Sequence, residues 1–129
     1  MDYDQFVMAV QNRAGIGADA AADGIAATLT TLSERLTAAQ AQDVAAELPT
    51  ELKDQLAAAA AGQPFDFDDF LNRIADELDA DRDHAHRIAA AVVTTLAEAG
   101  GPGDVEDALA ALPPEFGALV RRENQLPAG

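Results

Sequence analysis

The side chains with the most evident chemical potential lie between positions 79 and 86. Asp79-Ala80-Asp81-Arg82-Asp83 alternates acids, as at the start of a loop that wraps a hard cation in carboxylate oxygens. The pattern stops there. The sixth position is His84, where such a loop needs glycine, and the twelfth is Ala90, where it needs a bidentate glutamate. These acids are therefore expected to cap the helix that follows. His84 and His86 are the only histidines, and two apart on a helix they point about 200° from each other, too far to grip one metal. Asp81 with His84, or Asp83 with His86, supplies two ligands, so a metal site would need a second chain. No metal-ligating residue is assigned.

Nucleophilic chemistry has little to work with. The chain has no cysteine, and Ser33 is its single serine, with no histidine near it and no strand-turn-helix setting for an activated hydroxyl. Thr30-Thr31 and Thr94-Thr95 recur, but in a helical pattern, where a threonine hydroxyl bonds back to a carbonyl one turn earlier or lets helices approach closely. Gly100-Gly101-Pro102-Gly103 has no following Lys-Ser/Thr and reads as a turn between helices, not as a phosphate loop. The Glu-x-x-His pairs of a di-iron bundle are missing. The one basic pair, Arg121-Arg122, suits the negative end of a helix. No catalytic residue, no cofactor-binding residue and no cofactor is expected, and the chain reads as a non-enzyme.

The surroundings of these residues are acidic throughout. The 129 residues carry a net charge of −15, a field that repels phosphate and argues against nucleic-acid and anionic-membrane partners. Three basic and nine acidic residues fall in the stretch ending at Gly62, and five basic and fourteen acidic residues follow it. A charge spread in this way differs from the single stripe a DNA mimic needs. Aspartates outnumber glutamates by 15 to 8, Lys53 is the single lysine, and alanine occurs 31 times. A surface adapted to a high-salt cytoplasm and a GC-rich coding sequence both account for this bias, and the sequence leaves the two open. The acidic opening Met1-Asp2-Tyr3-Asp4 is the opposite of a signal-peptide start, and no run approaches the ~18 apolar residues of a membrane span. A cytoplasmic location is expected.

The elements that must position these residues are helices, and they come twice. At an offset of 64 residues, Asp2-Tyr3-Asp4-Gln5-Phe6 meets Asp66-Phe67-Asp68-Asp69-Phe70, and Thr30-Thr31-Leu32-Ser33-Glu34 meets Thr94-Thr95-Leu96-Ala97-Glu98. Leu48-Pro49-Thr50-Glu51-Leu52 likewise meets Leu112-Pro113-Pro114-Glu115-Phe116. The register holds without a gap over 55 pairs, 16 of them identical, and self-similarity at a fixed period marks a repeat.

Within each half the apolar spacing is helical. Tyr3, Phe6, Val7, Val10 and Ala14 fall on one face of a first helix, as do Phe67, Phe70, Leu71, Ile74 and Leu78. Asp2 and Asp66 are placed as caps, with Gln5 and Asp69 at the third helical position. A long second helix over 18–36 carries Ile25, Leu29, Leu32 and Leu36; its counterpart carries Ile88, Ala89, Val92, Val93 and Leu96.

Shorter helices follow. Thr37-Ala38-Ala39-Gln40 is a capping box before a third helix with Val44 and Leu48 inward. In the second copy Pro102 is expected at the first helical position and Asp104 at the third, with Val105, Leu109 and Leu112 inward. Past Pro49 and Pro113 a short fourth helix carries Leu52 and Leu56, or Phe116, Leu119 and Val120. Gly62 is expected to cap a helix end in the junction at 57–64, and residues 124–129 are read as a frayed tail.

The fold class is thus all-α, a tandem duplication of a unit of three main helices plus a short fourth. The halves, 1–62 and 63–129, are each too small for a generous core. They are expected to pack as one compact pseudo-twofold bundle.

The doubled acidic start, the long alanine-rich second helix and the Leu48-Pro49-x-Glu51-Leu52 close together resemble the bacterial and archaeal family 2267 of domains of unknown function. The similarity covers nearly the whole chain. The second copy departs in Phe67, which stands for tyrosine, and in the added Pro114. The resemblance implies a small, acidic, two-repeat helical protein and brings no activity or site residue with it. From the residues themselves, the expected role is protein–protein interaction with an unidentified protein partner, as an accessory or stress factor. A homodimer is one state such a unit could form. The alternative is a small-ligand or metal-binding bundle with a pocket between the halves lined by Tyr3, Phe6, Phe67 and Phe70.

Overall fold

A computed structural model describes residues 1–46, 48–58, 60–100 and 103–120. Eight helices follow one another along it, and the described residues contain no strand. They are α1 (Tyr3–Ala14), α2 (Ala18–Arg35), α3 (Ala38–Ala45), α4 (Thr50–Ala58), α5 (Phe67–Leu78), α6 (Arg82–Ala99), α7 (Asp104–Ala110) and α8 (Pro114–Gly117). The fold is all-α. Both α1 and α5 span 12 residues, and both α2 and α6 span 18.

Local chemistry starts these helices where the sequence places them. The Asp2 carboxylate accepts the Gln5 N–H while the Gln5 side chain accepts the Asp2 N–H, a complete capping box. Thr37 and Gln40 form a second one. Asp66 accepts from Asp69 N at 2.9 Å and Asp81 from His84 N at 2.8 Å. At the far end of α1, Gly15 takes the left-handed conformation, with φ of 67°, that a glycine adopts without a Cβ clash. The equivalent stop after α5 is Asp79, the one non-glycine with positive φ among the described residues, at 51°.

The long helices α2 and α6 pack directly on each other at the centre. Helix α1 lies against both of them, and so does α5. Each half therefore contributes a helix that rests on the other half's long helix. Helices α3 and α7 also meet. The stripes anticipated from periodicity are inside: Phe6, Val10, Ile25, Leu29, Phe70, Ile74, Val92 and Leu96 are all fully buried.

Where α2 and α6 cross, Gly24 faces Ile88. A Cβ built on Gly24 would sit 2.6 Å from Ile88 Cγ2, closer than carbon atoms approach. Side-chain hydroxyls brace the outer elements on this central pair. The Ser33 hydroxyl donates to the Leu56 carbonyl, and Thr94 Oγ1 donates to the Leu119 carbonyl at 3.2 Å.

Three expectations need correction. Gly62 is left-handed, with φ of 63°, but its N–H goes to the Leu36 carbonyl at 2.8 Å, and Gln63 N goes to the Glu34 carbonyl. The junction is thus tied to the end of α2, and Gly62 lies four residues past the last residue of α4. Helix α7 begins at Asp104, with Gly103 as its cap at φ 81°, so Asp104 is the first helical residue and not the third; Pro102 lies outside the described residues. The left-handed turn at Gly103 resets the chain direction and delays the helix. Helix α8 ends at Gly117, so the buried Leu119 lies in the turn that follows it and Val120 lies beyond that turn. Arg121-Arg122 and the expected tail at 124–129 also lie outside the described residues.

Candidate functional site

The acid run at 79–83 lies at helix ends. Asp79 closes α5, its N–H directed at the Ala75 and Asp76 carbonyls, and Asp81 caps α6. Asp83 sits in the first turn of α6, where its charge suits the helix dipole. Among the described residues no group of three or more His, Asp or Glu side chains is arranged to hold a metal ion. The two histidines diverge: His84 lines a surface cleft, and His86 stands edge-on to the Phe67 ring, 6.0 Å between centroids.

The hydroxyls of Thr31, Thr95 and Ser33 have structural partners; Thr28 Oγ1 is buried without one. Thr31 Oγ1 donates to the Ala27 carbonyl at 2.8 Å and Thr95 Oγ1 to the Ala91 carbonyl at 2.7 Å, the back-bonding one turn earlier that a helical threonine allows. Ser33 is fully buried on Leu56. Aromatic contacts gather Phe67, Phe70 and Phe116, with ring centroids 5.1 to 5.8 Å apart. This cluster is a packing centre, and Phe6 is buried elsewhere on α1.

What the tertiary structure does assemble is an acidic groove. Helices α2 and α5 flank an open surface groove of about 810 Å³. From α2 come Asp23, Thr30, Thr31 and Glu34, and from α5 come Arg73, Asp76 and Glu77; Ala26, Ala27 and Leu78 add apolar lining. Asp23 and Leu78 also line a second cleft of about 710 Å³, together with Asp79, Asp81, Asp83, His84 and Arg87. Seven acids thus line the two adjoining clefts against two arginines. Arg73 bridges from α5 to α2: its guanidinium lies 4.0 Å above the Phe65 ring, donates to Gln63 Oε1 at 3.2 Å and pairs with Glu34 at 3.6 Å.

The seam between α1 and α6 is built differently. Arg13, in the last turn of α1, donates through Nη1 to Thr95 Oγ1 at 2.7 Å and pairs through Nη2 with Glu98. Thr31 and Glu34 hold the same places on α2 that Thr95 and Glu98 hold on α6. The α5 residue in the place of Arg13 is Glu77. The sequence signal for this contrast is the charge reversal between Arg13 and Glu77 in the 64-residue register.

A third, smaller groove of about 310 Å³ lies between α3 and α4, lined by alanines with Lys53 and Asp54 at its edge. None of these three grooves is lined by Tyr3, Phe6, Phe67 or Phe70. No described helix is long and apolar enough to cross a membrane.

Comparison with known families gives a match over residues 3–119 to the model of an uncharacterized conserved protein family, DUF2267. The match covers most of the chain, and the chain belongs to this family. A comparison with curated proteins returns no match.

Proposed function

We propose that this member of the DUF2267 family is a non-catalytic binding protein that docks a basic protein partner in its acidic groove, as an accessory factor in the cytoplasm. The observation that carries the reading is the set of seven carboxylates lining the two adjoining clefts along α2, α5 and the start of α6. Carboxylates gathered in a cleft with apolar lining focus a negative field and steer a cationic surface into place. The 64-residue offset supports a further reading of the halves as copies of one unit about a twofold axis, with the groove present on one seam and closed by Arg13 on the other.

The test is retention of a lysine- and arginine-rich helical peptide by the immobilised protein across a salt series. Retention at low salt that fades toward 0.5 M, and that drops on combined Asp23→Asn, Asp76→Asn and Glu77→Gln substitution, is the expected result. The Debye length shrinks from about 10 Å at 0.1 M to about 3 Å at 1 M salt, which sets that window. Failure to retain the peptide at any ionic strength overturns the reading.

A further inference from the structure

Residues 59–66 join the two halves, between the end of α4 at Ala58 and the start of α5 at Phe67. Fully extended, eight residues reach about 27 Å, yet 62–65 is folded back on the end of α2. Gly62 and Gln63 donate their N–H groups to the Leu36 and Glu34 carbonyls, each at 2.8 Å, in the stretch where a helix leaves its last carbonyls unpaired. Arg35 Nε donates to the Phe65 carbonyl at 2.9 Å. From the other side, Arg73 of α5 lies over the buried Phe65 ring and donates to Gln63 Oε1. The reversal depends on Gly62, whose φ of 63° lies in the left-handed region that other residues enter at a cost. A junction that had only to connect the halves would need none of these bonds.

What the junction controls follows from the packing. Helix α1 lies on α6, α5 lies on α2, and α2 meets α6, so each half is completed by the faces of the other. Those faces are the same on every copy of the chain. We infer that residues 62–65 are a latch that closes the two halves of one chain on each other, and that releasing it exchanges halves between two copies in a reciprocal dimer. In that dimer α5 of one copy covers α2 of the other, and the contacts between halves are kept. What is lost is the set of latch bonds, once in each chain. A short flexible tether holds its partner at an effective concentration of about a millimolar, so the closed monomer prevails in the micromolar range while the latch holds. The partner is a second copy of this chain, and the glycine at 62 is the residue that selects against it.

The test is the molar mass of the full chain by light scattering. The wild type is expected to be a monomer at about 50 μM, well below the effective concentration of the tether. Gly62→Val puts a β-branched residue in the left-handed position, at a cost of about tenfold for each junction. A dimer relieves two junctions, so its dissociation constant should fall roughly a hundredfold, which makes the variant largely dimeric at about 50 μM. Gln63→Pro should act by another route, deleting the Gln63 N–H and biasing residue 62 to extended backbone. The Arg13–Glu98 pair, which joins α1 to α6 across the halves, tells exchange from ordinary association. On the Gly62→Val background, a chain carrying Arg13→Glu is refolded together with one carrying Glu98→Arg. Each alone sets like charges face to face, whereas exchange between the two restores both pairs. Native mass spectrometry should then show the mixed dimer well above the share that random pairing gives. A wild type already dimeric at about 50 μM, or a latch variant that stays monomeric or unfolds at about 0.5 mM, overturns the latch. So does a mixed dimer in random proportion.

Discussion

Asp79 and Asp81 stand two apart in one acidic run, yet their backbones ask opposite things of them. Asp81 accepts the His84 N–H at the start of α6, so Asp81→Ala leaves a first-turn donor without its partner. Stability should fall by about 1 kcal/mol in a urea titration. Asp79 holds φ of 51°, a conformation that costs an L-residue roughly 1 kcal/mol and glycine nothing. Asp79→Gly should therefore hold stability or raise it by up to about 1 kcal/mol in the same titration. If both carboxylates were ligands of a bound ion, the two substitutions would lower stability together on addition of that ion. Ser33 offers a third case at this scale. Its buried hydroxyl donates to the Leu56 carbonyl, and Ser33→Ala should cost about 1 kcal/mol by loosening α4 from α2.

Helices α2 and α6 cross at a point where one side must be small. Gly24 inside a long helix carries a conformational cost of about 1 kcal/mol relative to alanine, so an isolated helix would gain from Gly24→Ala. In the folded chain the added Cβ meets Ile88 Cγ2 at 2.6 Å, and a β-branched side chain cannot rotate that methyl away freely. Gly24→Ala is expected to lower the thermal midpoint. Combining it with Ile88→Ala should be less damaging than the sum of the two single changes, with a coupling on the order of 1–2 kcal/mol in a double-mutant cycle. Additive effects would show that the two residues do not meet. Gly24 and Ile88 are 64 residues apart, so each is the other's counterpart in the repeat register. Two isoleucines there would overlap, and two glycines would leave a void; the unlike pair fills the crossing.

At the scale of the molecule the decisive fact is that α1 rests on α6 and α5 rests on α2. A polypeptide of residues 1–62 keeps α1 and α2 but loses α6, the partner of Arg13 and of α1's apolar face. It should show little helical signal and no cooperative melting by circular dichroism, while addition of a 63–129 polypeptide should restore both; a stable, cooperatively melting 1–62 piece would contradict the shared packing. The net charge of −15 acts at this scale as well. Most acids outside the caps face solvent and repel one another, so the melting temperature should rise between 0.05 M and 1 M salt as screening sets in. A flat response would mean that the acids are already compensated locally. The ion pairs Arg13–Glu98, Arg73–Glu34 and Arg82–Asp68 take up three of the chain's 23 acids.

The local half of this structure was legible in the residues. A cap such as Asp2, Thr37, Asp66 or Asp81 acts within one turn of itself, and an apolar stripe such as Phe70, Leu71 and Ile74 reports its own helix whatever lies opposite. Helix starts and buried faces follow from interactions between residues at most a few positions apart, and those are written in sequence order. Two ends were not legible in this way: Gly62 answers to the distant Leu36 carbonyl at the end of α2, and α7 starts late because its own cap, Gly103, takes a left-handed turn. The groove was not legible at all. Asp23 and Glu77 are ordinary surface acids until the packing of α2 on α5 brings them into one groove, and Thr31 and Thr95 sit in similar sequence contexts until Arg13 reaches Thr95 and Glu98 on one seam while Arg73 pairs with Glu34 on the other. Sequence alone determined which segments coil and which sides turn inward, because short-range hydrogen bonds and periodicity suffice for that. Only the tertiary structure decided which charges share a groove, because electrostatic energy depends on distance in space and not on distance along the chain.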